Sequence, residues 1–126
     1  MYRILAVDDD ALQLDLRKTL LEGAGHEVIA TLTAGQTARE LERGPIHLIV
    51  MDLRFPNATG RDDPKEGMQL IRRIRELDAK VPIIVLSGWP EELYGQPEEQ
   101  LVSRIMLKPV KPAMLLAAAR ELLTTA

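Results

Sequence analysis

The chain has 126 residues, 46% hydrophobic and 28% charged, with a formal net charge of −3 and no cysteine. This length suits one domain with a real core and is too short for two. Disulfides and thiolate metal sites are excluded, the acidic balance gives no electrostatic case for nucleic acid or an anionic membrane, and the apolar run after Met1-Tyr2-Arg3 is far below signal-peptide or membrane-span length, so a cytoplasmic protein is expected.

The first strand candidate, Ile4–Val7, ends on Asp8-Asp9-Asp10. A helix is expected from about Ala11 to Glu22, with Leu12, Leu14, Leu16, Leu20 and Leu21 as its apolar stripe, Asp10 and Gln13 as a capping box, and Gly23 or Gly25 at its end. Val28–Thr31 is the weakest strand and the candidate sheet edge. A second helix follows from about Ala34 to Glu42, with Thr33 and Gln36 as another capping box. Leu48–Met51 is the third strand and runs into Asp52. The third helix is expected from about Gly67 to Leu77, its apolar side formed by Met68, Ile71, Ile74 and Leu77 and its outer face by Arg72, Arg73 and Arg75, read as solvated. Ile83–Leu86 is the fourth strand, ending on Ser87. The crossover Trp89–Gln100 contains Pro90, Gly95 and Pro97, so short broken pieces are expected there. Ile105–Leu107 is the fifth strand, and the last helix runs from about Pro112 to Leu123.

Short, mostly continuous apolar runs alternating with helices imply an α/β doubly wound parallel sheet with right-handed crossovers. Ligands on such sheets bind at the carboxyl ends of the strands. Four strand ends here carry polar chemistry: Asp8 and Asp9, Asp52, Ser87, and Lys108. Clustered carboxylates repel one another unless a cation joins them, and oxygen ligands without His or Cys favour a hard cation, Mg²⁺ first. A carboxylate is also a competent nucleophile toward phosphorus. Ser87 and Lys108 remain to hold an anion, and Gly88 leaves room for it.

With Pro56 four residues after Asp52 and Pro109 after Lys108, this ordered set resembles the receiver domain of bacterial two-component response regulators, over essentially the whole chain, residues 1–126. The resemblance implies a (βα)₅ flavodoxin-like fold with a five-stranded parallel sheet in the order 2-1-3-4-5. It implies Asp52 as phospho-acceptor, and Asp8, Asp9, Asp52 and the backbone carbonyl of Arg54 as Mg²⁺ ligands. Ser87 and Lys108 would bind the phosphoryl oxygens, and the Lys108–Pro109 peptide would be cis. The donor would be a sensor histidine kinase or histidine phosphotransfer protein, and phosphorylation would switch binding of a downstream output protein. Such a protein catalyses only its own phosphorylation and dephosphorylation. The chain ends with its last helix, so no output domain is expected to follow, and the alanine-rich helix around Leu115–Ala119 is a possible homodimer face.

Three features depart from the family pattern. Pro56-Asn57-Ala58-Thr59-Gly60 fits the usual Pro-x-x-x-Gly, but Arg61–Gly67 then intervenes as a seven-residue insertion, read as a solvated loop beside the site or, more sharply, a partner-contacting flap. The position three before the lysine, usually aromatic, is Ile105, which cannot perform a ring-burial switch. The broken fourth crossover lies on the face that receivers use for output. Arg54 and Trp89, two residues past Asp52 and Ser87, are expected to shield a phosphoryl group from water. Two rival readings are a pseudo-receiver that binds partners without taking phosphate, and a small haloacid-dehalogenase-like phosphatase with Asp8 as nucleophile.

Overall fold

The structure, a computed structural model, describes residues 2–124. The first half comprises β1 (Arg3–Val7), α1 (Ala11–Gly23), β2 (Glu27–Thr31), α2 (Ala34–Arg43) and β3 (Leu48–Asp52). A small antiparallel hairpin, β4 (Phe55–Pro56) with β5 (Asp62–Asp63), precedes α3 (Pro64–Leu77), β6 (Ile83–Ser87), β7 (Arg104–Leu107) and α4 (Pro112–Thr124). The five longer strands form one parallel sheet in the order β2-β1-β3-β6-β7. Counted without the hairpin, this is the expected 2-1-3-4-5 order, with the weakest strand at an edge.

The continuous apolar runs are explained by two buried faces. Ile4, Ala6, Leu48, Val50, Ile84 and Leu86 pack against Leu14 and Leu21 of α1 and Leu115, Ala119 and Leu123 of α4. Leu5, Val7, Ile49, Met51, Ile83 and Val85 pack on the opposite side against Leu70, Ile71 and Ile74 of α3. Each such side chain contributes about 1.5–3 kcal/mol of burial, so the three central strands are pinned in register by side chains on both sides.

Side-chain caps set the helix starts. Asp10 Oδ1 accepts the Leu12 and Gln13 amides at 3.0 and 3.3 Å, and Thr33 Oγ1 accepts the Gln36 amide at 3.2 Å. Gln36 reaches past its expected capping-box partner and accepts the Leu32 amide at 2.8 Å.

The third helix begins at Pro64, earlier than the expected Gly67, because Asp63 Oδ1 caps it on the Lys65 amide at 2.9 Å and Pro64 suits a first turn. The segment 61–67 is therefore not a loop. Its first part closes the β4–β5 hairpin, and its last part is helix. Gly67 is the glycine this packing demands: a Cβ there would lie 1.9 Å from the Leu53 carbonyl oxygen. The first turn of α3 thus rests directly on the backbone leaving β3.

The fourth crossover is broken as expected, into two 3₁₀ turns, Pro90–Glu92 and Pro97–Leu101. Arg72 and Arg73 on the arginine face of α3 are exposed as expected, but Arg72 and Arg75 also reach the fourth crossover. Arg72 ion-pairs with the buried Glu98, and Arg75 donates to the Leu101 carbonyl through Nε at 2.9 Å and Nη2 at 2.7 Å. Without a helix of its own, the crossover leaves carbonyls and a carboxylate needing donors, and α3 supplies them.

Candidate functional site

Because β1, β3, β6 and β7 are adjacent, their carboxyl ends bring the five predicted side chains to one open cleft of about 430 Å³. Asp8, Asp9, Asp52, Ser87 and Lys108 all line it. Ligand oxygens of Asp8, Asp9 and Asp52 lie within 4.8 Å of one another. Asp8 and Asp52 are buried, whereas Asp9 is exposed at the rim.

Asp8 is held by both oxygens. Oδ1 accepts the Asp10 amide at 2.9 Å, and Oδ2 accepts Arg17 Nη1 at 3.0 Å. Burial pushes its carboxyl up, but the contacts to Asp52, the Asp10 amide and the Arg17 guanidinium outweigh burial and hold it below the ordinary value. Such a fixed, doubly occupied carboxylate is poorly placed to attack phosphorus, which argues against the phosphatase reading. Asp52 behaves oppositely: burial first, and the neighbouring Asp8 second, push it up to about 7 despite Lys108. The Lys108 ammonium ion-pairs with Asp52 Oδ1, yet that buried oxygen receives no aligned hydrogen bond. Asp9 is also raised, by burial and then by Asp62 and Asp8.

Ser87 Oγ accepts the Trp89 amide at 2.9 Å, so the hydroxyl caps the turn after β6 and its own proton remains to be donated into the cleft. The Ser87 carbonyl accepts the Lys108 amide at 2.9 Å, joining the two strand ends that carry the Ser87 hydroxyl and the Lys108 ammonium. The Lys108–Pro109 peptide is cis. At Gly88 a Cβ would meet open space, so no protein packing requires a glycine there.

The donor set fits a hard divalent cation. All three acids offer an oxygen within 4.8 Å of the others, and no His or Cys takes part.

Three participants, Arg17, Asp62 and Glu92, escaped sequence reasoning, and Arg54, expected beside the site, takes a partner that the sequence did not indicate. Arg17 is buried beneath Asp8, and its signal was a charge on the apolar stripe of α1, three residues after Leu14 and four before Leu21. Asp62, from the hairpin, lines the cleft as a further acid beside Asp8, Asp9, Asp10 and Asp52. Arg54 stacks its guanidinium 3.8 Å from the Trp89 ring centroid, and donates to Glu92 through both Nε, at 3.1 Å, and Nη2. Glu92 belongs to the first 3₁₀ turn, and nothing in its local sequence marks it.

The response regulator receiver domain family matches residues 4–120, and the chain belongs to that family. It is 32% identical over 96 residues to the virulence transcriptional regulatory protein PhoP of Salmonella choleraesuis (strain SC-B67), covering 74% of this chain and 40% of that protein. It is 29% identical over 125 residues to the uncharacterized transcriptional regulatory protein YbdJ of Bacillus subtilis (strain 168), covering 97% of this chain and 51% of YbdJ. The chain thus spans about half or less of the length of these two relatives. Among solved structures, the response regulator TrrA of Thermotoga maritima in complex with Mg²⁺-BeF superposes with a TM-score of 0.82 at 20% identity, covering 97% of this chain and 99% of that one. A CheY-like receiver domain of Methanospirillum hungatei JF-1 gives 0.81 at 28% identity, covering 99% and 95%. Among the described residues no helix is long and apolar enough to cross a membrane.

Proposed function

We propose that this receiver takes a phosphoryl group on Asp52 from a sensor histidine kinase or histidine phosphotransfer protein in the cytoplasm, and that the phosphoform changes binding of an output partner. The observation that carries the reading is the buried Asp52 carboxylate, ion-paired with Lys108 and facing Asp8 and Asp9 in one cleft with Ser87. Asp8, Asp9, Asp52 and the backbone carbonyl of Arg54 would hold Mg²⁺, which when bound neutralises charge on the transferring oxygens. An Asp52 oxygen bonds to phosphorus as the bond from phosphorus to the donor's imidazole nitrogen or acetate oxygen breaks. Lys108 exchanges its ion pair with Asp52 for a phosphoryl oxygen, and Ser87 donates its hydroxyl to another. On loss of the group, water attacks phosphorus, the Asp52–phosphorus bond breaks, and inorganic phosphate leaves with the carboxylate restored.

Intact mass after incubation with acetyl phosphate and Mg²⁺ tests this. The expected result is a metal-dependent gain of one phosphoryl group that Asp52→Asn abolishes. A gain persisting in Asp52→Asn would move the nucleophile elsewhere, and no gain in the wild type would replace the reading with that of a pseudo-receiver.

A further inference from the structure

Arg54 and Lys108 are the two cations lining the cleft, and whereas Lys108 pairs with Asp52 inside it, Arg54 pairs with Glu92 of the fourth crossover. Arg54 lines the cleft with Asp52, Ser87 and Lys108, and its Nε and Nη2 donors are closed on the two oxygens of Glu92. Trp89 stacks on its face at 3.8 Å. The three residues tie the segment after β3 to the first turn of the fourth crossover.

We infer that the Arg54 side chain is a phosphoryl-binding group held in reserve by Glu92, and that it exchanges the Glu92 carboxylate for the phosphoryl oxygens when Asp52 is modified. This rests on the phosphoryl reading above. Both ligands are planar or trigonal sets of oxygens that suit a bidentate guanidinium, but a phosphoryl group carries more negative charge than a carboxylate. The Asp52 side chain is 9% exposed against 21% for Glu92, so a group attached to Asp52 starts from the more enclosed end of the cleft. Stacking on Trp89 keeps the guanidinium plane at the cleft mouth while the partner changes, as cation–π contacts tolerate sliding across the ring.

The exchange has a second consequence. Glu92 sits in a turn whose internal bonds are few: the Glu92 amide to the Trp89 carbonyl at 3.0 Å, and the Leu93 and Tyr94 amides to Pro90 at 3.0 and 3.3 Å. Release from Arg54 removes the ion pair that ties Glu92 to the segment after β3, leaving the turn held by its buried Leu93 and these few backbone bonds. The change at Asp52 thereby reaches the crossover without the aromatic side chain that Ile105 does not provide.

The test measures the apparent affinity for beryllofluoride at fixed Mg²⁺ by titration calorimetry, on the 126-residue chain and its variants. Hydrogen exchange over residues 90–95 is measured alongside. If Glu92 competes for Arg54, Glu92→Gln binds beryllofluoride about 3–10-fold tighter and Arg54→Met about 10-fold weaker, as expected for losing a charge-assisted hydrogen bond at a half-open site. The double variant then matches Arg54→Met alone, because Glu92 acts only through Arg54. Exchange at Leu93 and Tyr94 quickens with beryllofluoride in the wild type and is already quick in Glu92→Gln. Unchanged or weaker binding in Glu92→Gln overturns this inference while leaving the phosphoryl reading intact. A wild type that neither binds beryllofluoride nor gains a phosphoryl mass removes both.

Discussion

Arg17 Nη1 lies 3.0 Å from Asp8 Oδ2, and both side chains are nearly closed off from water. The acidic cleft therefore rests on an internal cation supplied by α1. Arg17→Met leaves Asp8 buried without its counter-charge, which costs about 3 kcal/mol in urea unfolding with chelator present. The same substitution removes a competitor for Asp8, so Mg²⁺ affinity rises about tenfold at low ionic strength. A purely structural arginine would lower stability and affinity together, and a calorimetric Mg²⁺ titration separates the two cases.

The Asp52 carboxyl, raised to about 7 from an ordinary 3.8, sets a pH dependence in the metal-free protein. The folded state holds this proton more tightly than the unfolded chain, so folding stability falls as pH rises from roughly 4 to 7 and is flat beyond. The loss is on the order of 2–4 kcal/mol. Asp52→Asn flattens that slope and stabilises the metal-free chain at pH 8 by about 2 kcal/mol. Thermal unfolding in chelator across this range checks both. Asp8, held low, has the opposite sign, and its contribution is lost only as pH falls through its depressed value.

Gly67→Ala places a methyl where only 1.9 Å separates it from the Leu53 carbonyl oxygen. Backbone on both sides must move, which costs about 2–4 kcal/mol. Because Leu53 adjoins Asp52 and Arg54, the variant also binds Mg²⁺ several-fold more weakly, whereas Gly60→Asn, in the hairpin turn with φ of 82°, leaves metal binding unchanged.

Asp62→Asn removes the hairpin's acid from the cleft and lowers Mg²⁺ affinity about threefold in low salt, with the difference closing as ionic strength approaches 1 M. Identical salt dependence in the two proteins would show that the hairpin does not contribute to the field over the metal ligands.

Trp89→Ala uncovers the cleft mouth and detaches one face of Arg54. Release of inorganic phosphate from the phosphoform is expected to speed up several-fold, and an unchanged rate would count against shielding.

The parallel sheet was legible because each central strand carries a run of four buried apolar residues, Ile4–Val7, Leu48–Met51 and Ile83–Leu86, a pattern that two covered faces explain. The five site residues were legible because each ends such a run. What sequence left hidden came from contacts distant along the chain. The Arg54–Glu92 pair spans 38 residues, and nothing local couples them. Arg72 and Arg75 read as a solvated face because their partners, Glu98 and the Leu101 carbonyl, belong to a crossover that has no helical period to place it. The start of α3 lies at Pro64 rather than at the expected Gly67 because a glycine inside a first turn is also what a close backbone approach demands. Arg17 alone was within reach, as a charge on an otherwise apolar stripe.

Trp89 is the chain's single tryptophan, and it is half exposed over the cleft with a guanidinium against its ring. The near-ultraviolet emission of the protein is thus the emission of one indole at one address. Arrival of an anion, departure of Arg54 or loss of the neighbouring turn each alters that signal at its source, so the unlabelled chain carries its own optical gauge of what happens at Asp52.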